Sequence, residues 1–237
     1  MWNGPEYPVE PAKFASRAEA GSLLSSLLAP YAGQPDTTVI AIPRGGVPVA
    51  MELASILRLP LTLLVVEKIR IPVHEVWQSI RSIGAVAAGV APVLASRKIE
   101  ALHIPPHDVE RAIGIARNDQ VHKTEIYRSV CPPANLRGQR LVVVDDAVDS
   151  GATMEAAIRS LRLHAPAMIV IAAPVGSTDA IQQLSALADR VVIPIQAAEG
   201  AAVHECYAHF PPIDDTEVYT LFEGFLHQTP PARVVGR

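Results

Sequence analysis

Two cysteines among 237 residues, Cys131 and Cys206, cannot build a disulfide framework. Their scarcity fits a reducing compartment, and a cytoplasmic protein is expected. Basic charge is not in excess either: 20 Lys and Arg stand against 24 Asp and Glu, a formal net charge of −4. Without a basic face, nucleic acid is not an expected partner. Long apolar runs are missing as well. The uncharged stretches 82–96 and 163–178 are broken by Pro92 and by Pro166 and Pro174, so neither suits a membrane span. The opening MWNGPEYPVEP lacks a basic segment followed by an apolar one, and no signal peptide is expected. The chain also lacks a G-x-x-x-x-G-K-[ST] loop, a G-x-G-x-x-G after a strand and a G-x-S-x-G elbow. The common nucleotide-hydrolase, dinucleotide and serine-hydrolase readings therefore have no support.

What is present is a hydrophobic content of 49%, enough for a sizeable core, arranged as alternating strand and helix signals. A helix is predicted over 16–29, with Leu23, Leu24, Leu27 and Leu28 on one face. TTVIAI (37–42) reads as a buried strand, PRGG (43–46) as its break, 47–57 as a helix and LTLLVV (61–66) as a second strand. These make a β-α-β unit and imply a parallel sheet. Residues 67–82, charged and interrupted by Pro72, read as an exposed loop. The small, apolar 83–96 reads as a hairpin. Asp108 is the expected cap of a long helix to about Tyr127, with Val109, Ile113, Ala116 and Ile126 among its apolar positions. After a turn over 132–140 the alternation resumes: strand 141–145, helix 152–163, strand 168–173, helix 178–188 and strand 190–195. The expected architecture is a doubly wound α/β fold with a mostly parallel sheet. It forms one domain, with its core over about 14–195 and a small cap from the N-terminal segment and the tail 196–237.

Ligands of open α/β sheets bind outside the carboxyl ends of the strands. That rule puts IPRGG and VVVDDAVDSGAT on one rim. In the second stretch a loop of small residues runs into a helix N-terminus, whose free N–H groups and dipole favour phosphate. Ser150 and Thr153 add hydroxyl donors. Asp145 and Asp146 repel phosphate but accept hydrogen bonds from paired hydroxyls. The combined chemistry fits a sugar phosphate.

Asp145-Asp146-Ala147-Val148-Asp149-Ser150-Gly151-Ala152-Thr153 resembles the phosphoribosyl-diphosphate (PRPP) motif of type I phosphoribosyltransferases, with Ser150 in place of the usual threonine. VIAIPRGGVPVA is similar to that family's pyrophosphate loop. LTLLVVEKIRIP is similar to the strand leading to its mobile catalytic loop. The likeness spans roughly 14–222, is weakest over 97–130, and is nearest to a bacterial group of unassigned substrate.

The resemblance implies transfer of a phosphoribosyl group from PRPP to a small acceptor, expected to react through nitrogen, with release of pyrophosphate. By that likeness Asp145 and Asp146 hold ribose hydroxyls. Ala147, Val148, Ser150, Gly151, Ala152 and Thr153 cradle the 5′-phosphate. Arg44, Gly45 and Gly46 face pyrophosphate, and Lys68 closes over it. Mg²⁺ is the implied cofactor, held chiefly by PRPP, with Asp145 and Asp146 as its candidate protein contacts. A homodimer is implied too. Tyr207 and Phe210 are candidates for the acceptor pocket. Asp149 is either a general base facing the acceptor or an Asx-type cap of its own loop.

One departure is Glu67, which stands where many relatives carry a base. It motivates one alternative, a PRPP- or nucleotide-sensing regulator with weak catalysis; a separate alternative is a ribosyl-phosphate hydrolase or phosphorylase using the same pocket. Arg70 and Arg81 are the bases that would compensate. His204, Cys206 and His209 have ligand-like spacing but no evident fourth partner, so no zinc site is expected.

Overall fold

The computed structural model describes residues 14–71, 82–131, 133–197 and 203–228. Its chain alternates between strands and helices from the start. Helix α1 (Arg17–Leu27) begins at Ser16, whose side chain accepts the Glu19 N–H. Its buried face is Ala20, Leu24 and Leu28, while Leu23 is exposed. The leucine face expected from the sequence is thus rotated. The cause is the close approach of the next helix: a Cβ on Gly21 would lie 2.6 Å from the Val49 carbonyl.

Strand β1 (Thr37–Ala41), helix α2 (Gly46–Leu57) and strand β2 (Leu61–Leu63) form the predicted first unit. The expected strand 61–66 then divides. Residues Val66–Ile69 are β3, which pairs antiparallel with β4 (Gly84–Ala87), and β4 pairs with β5 (Val93–Leu94). The predicted hairpin is present, but the loop expected over 67–82 begins as a strand. Glu67 and Lys68 are polar enough to read as loop, yet Ile69 is fully buried. The rest of that segment, 72–81, including Arg81, lies outside the described residues.

A short helix α3 (Ser96–Ala101) precedes the long α4 (Pro106–Arg128). The α4 cap is Pro105, not Asp108, because proline at the first helical position sets the start. Asp108 instead pairs with Arg111 in the first turn. Then follow β6 (Arg140–Val144), α5 (Ala152–Arg162), β7 (Met168–Ala172), β8 (Val175–Ser177), α6 (Thr178–Ser185), β9 (Arg190–Val192), β10 (Ile195–Ala197) and α7 (Asp215–Gln228).

The main sheet has strand order β2-β1-β6-β7-β9, and every pair in it is parallel. Its three central strands, β1, β6 and β7, are buried on both faces, as a doubly wound sheet requires. Val39, Ala41, Val142, Val144, Val170 and Ala172 point into a cluster with α1, α2 and α7. Ile40, Leu141, Val143, Ile169 and Ile171 point the other way, against α5, α6 and the antiparallel sheet. The tail joins the first cluster through Val218, Phe222 and Phe225 of α7. Phe14 and Tyr207 bridge the N-terminal segment to the tail. The order reverses direction between β1 and β6, which opens a crevice at their carboxyl ends.

Candidate functional site

At that crevice the loops after β1 and β6 meet. The parallel register sets Ala41 beside Val144, so Ile42 through Gly46 run alongside Asp145 and Asp146. Both glycines of PRGG are explained by this approach. A Cβ on Gly45 would sit 1.9 Å from Asp146 Oδ2, and one on Gly46 would sit 2.7 Å from the Val144 carbonyl. The Pro43–Arg44 peptide is cis.

The loop 145–151 is braced from the far side by β8, an element the sequence pattern did not reveal. Val148 bridges Gly176, with Val148 N–H donating to Val175 O at 2.9 Å and Ser177 N–H to Val148 O at 2.9 Å. The Ser177 hydroxyl donates to the Asp149 carbonyl and accepts from Ala180 N–H, capping α6. Gly151 takes φ 74° just before α5, a conformation that favours glycine. The N–H groups of the first α5 turn have no intrahelical acceptors and face the loop.

A cleft of about 380 Å³ covers this rim. It brings together Arg44, Gly45, Lys68, Asp145, Asp146, Ala147, Val148, Asp149, Ser150, Gly151 and Thr153. Gly46 and Ala152 stand behind these as buried backbone. Tyr207 is not at the cleft. It is buried, and its hydroxyl donates to the Asp146 carbonyl at 2.7 Å. Burial, with Asp146 next, pushes its pKa up. Phe210 does line the cleft, with the Arg17 guanidinium 3.8 Å from its ring centre and Tyr207 4.8 Å away on a tilted plane.

The two acids differ. Asp145 accepts the Asp146 N–H at 2.8 Å. Loss of water and the neighbouring Asp146 raise its pKa well above 3.8, and Lys68 opposes them. Asp146 is held by Arg17 Nε at 2.9 Å, with side chains only 8% and 15% exposed for Arg17 and Asp146 respectively. Arg17 also donates to the Pro211 carbonyl at 2.8 Å. Asp149 is exposed, and its carboxylate accepts no loop N–H among the described residues.

Cations in the cleft outnumber acids. Arg44, Lys68, Arg70 and Lys98 join Arg17 and Lys123, against Glu67, Asp145, Asp146 and Asp149. Arg17, Lys123 and Ser177 were missed from sequence. They reach the site from partners 129, 56 and 28 residues away, and no local spacing marks such pairs. Lys123 Nζ binds Glu67 Oε1, so the acid beside Lys68 is already engaged from α4.

The chain matches the phosphoribosyl transferase domain over residues 15–206. It is 32% identical over 213 residues to a provisionally named phosphoribosyl transferase of Mycobacterium tuberculosis. That match takes in 89% of this chain and 46% of the relative, so the chain spans about half the relative's length. A uracil phosphoribosyltransferase of Aquifex aeolicus is 34% identical over 80 residues, 32% of this chain and 38% of that protein. Among solved structures, the Thermus thermophilus protein TT1426 is 33% identical. It superposes with a TM-score of 0.69 over 90% of this chain and 99% of that one.

Proposed function

The chain belongs to the phosphoribosyl transferase family, and we propose that it moves a phosphoribosyl group from PRPP to a small nitrogen acceptor, releasing pyrophosphate. The observation that carries this is the convergence in one cleft of paired acids, a helix-start phosphate loop and unpaired cations. Asp145 and Asp146 accept the ribose hydroxyls. The 147–153 backbone, with Ser150 and Thr153, takes the 5′-phosphate. Arg44 and Lys68, which have no ion-pair partner among the described residues, take the pyrophosphate. Positioning the ribose and neutralising the departing charge are the main tasks of such a site.

Phe210, Pro212 and Ile213 form the apolar edge of the cleft, and Arg17 lies against it. We assign the acceptor to this edge. Asp149, exposed at the loop crest, is its general base. The residues fit Mg²⁺ as a cation brought by substrate. Asp146 is taken by Arg17, which leaves Asp145 as the free carboxylate, and Mg²⁺ needs few protein ligands beside phosphate oxygens. Bound there, the cation would offset diphosphate charge. A single domain working as a homodimer in the cytoplasm completes the reading.

Glu67 was the motive for a sensor without turnover. Its pairing with Lys123 weakens that motive. Pyrophosphate release, measured with Mg-PRPP and a panel of bases and amines, tests the proposal. Acceptor-dependent release supports transfer. Acceptor-independent release supports a hydrolase, and binding without release supports a sensor.

A further inference from the structure

The Lys123–Glu67 pair lies inside the cleft, and neither residue has a role in the reading above. Lys123 is 20% exposed and Glu67 12%, so the pair is largely withdrawn from water. An ion pair so placed is a poor source of stability, because desolvation offsets most of the attraction. Its geometry is informative. Glu67 is on β3, next to Lys68, and Lys123 comes from the C-terminal part of α4. One turn on, Tyr127 donates its hydroxyl to Asp215 at the start of α7, so α4 is tied to both the antiparallel sheet and the tail. Arg44, Lys68 and Lys123 line the same cleft from three elements. An ammonium has three donors, and Glu67 uses one.

We propose that Lys123 binds the diphosphate end of the substrate and that Glu67 is its positioning residue. This rests on the PRPP reading and adds a binding residue to it. Glu67 then has two opposed effects on an anion: it repels it directly and attracts it by fixing Lys123. The proposal requires the second to dominate while Lys123 is present.

Calorimetry with Mg-pyrophosphate and, separately, ribose 5-phosphate tests this on the full chain. Lys123→Ala should weaken pyrophosphate about tenfold or more and leave ribose 5-phosphate unchanged. Lys123→Arg, which keeps the charge and has the safer fold, should recover most of the loss. Glu67→Gln should weaken pyrophosphate in the wild-type background and strengthen it in the Lys123→Ala background. That reversal of sign is not produced by loss of fold. Unchanged pyrophosphate affinity in Lys123→Ala, or tighter binding in Glu67→Gln alone, would overturn the proposal and leave the PRPP reading intact. A wild-type protein that binds neither probe would overturn both.

Discussion

Arg17 Nε lies 2.9 Å from Asp146 Oδ2, joining the first turn of the first helix to the central acidic loop. The same guanidinium stacks on Phe210 and donates to Pro211, so one side chain fixes an acid, the tail and the cleft edge together. Arg17→Ala would leave a poorly solvated carboxylate unpaired. The expected loss is about 3 kcal/mol, read by denaturant unfolding. Arg17→Lys should lose less, since it keeps charge but not the planar fork. A wild-type midpoint for Arg17→Ala would show that the pair is only decorative.

Gly46 admits no side chain. Its added Cβ would meet the Val144 carbonyl at 2.7 Å and the Asp145 Cα at 2.9 Å, both backbone that cannot rotate away. Gly46→Ala should therefore cost about 1–3 kcal/mol and displace Asp145. A thermal melt and a ribose 5-phosphate titration should both respond. An unshifted melting temperature would mean that the β1 and β6 loops separate more easily than described.

Asp145 should trade stability for binding. Its pKa is raised in the folded state, so the native protein holds the proton more tightly than the unfolded chain. Stability then falls as pH rises from about 3.8 through the higher folded value, and is level above it. Asp145→Asn removes the penalty and can still accept the Asp146 N–H. The variant should melt above wild type at pH 7 and match it at pH 3, while losing sugar-phosphate affinity. A variant less stable than wild type at pH 7 would contradict this assignment.

Asp149→Asn separates chemistry from binding. The carboxylate is exposed, with its loop held through its carbonyl by Ser177. Turnover should fall about 10²–10⁴-fold with PRPP affinity retained. A fall of less than severalfold would remove the base role.

The parallel strands and their rim loops were legible because each is a short local signal. Val142 to Val144 form a run buried on both faces, and the two acids mark its end. The antiparallel sheet was legible only in part. Its first strand has Glu67 and Lys68 between the buried Val66 and Ile69, with Arg70 just beyond, so the segment looks like loop. Strand β8 contains Gly176 and follows Pro174, both ordinary turn signals, and its strand character comes from pairing with β10. In α7 the helical spacing of Val218, Phe222 and Phe225 was available in the sequence but was masked by the prolines before it. Arg17 and Lys123 are a different case. Each acts through a partner distant in sequence, and a single chain gives no sign of which arginine or lysine folds onto which acid.

The most direct test of the whole proposal is a calorimetric titration of Mg-PRPP into wild-type protein and the Asp145→Asn, Asp146→Asn double variant. Each lost charge-assisted hydrogen bond should cost about 1.5–3 kcal/mol, so the wild type should bind and the folded double variant should show no measurable binding. Equal affinity in the two proteins, or none in the wild type, would contradict the assignment of this cleft to PRPP.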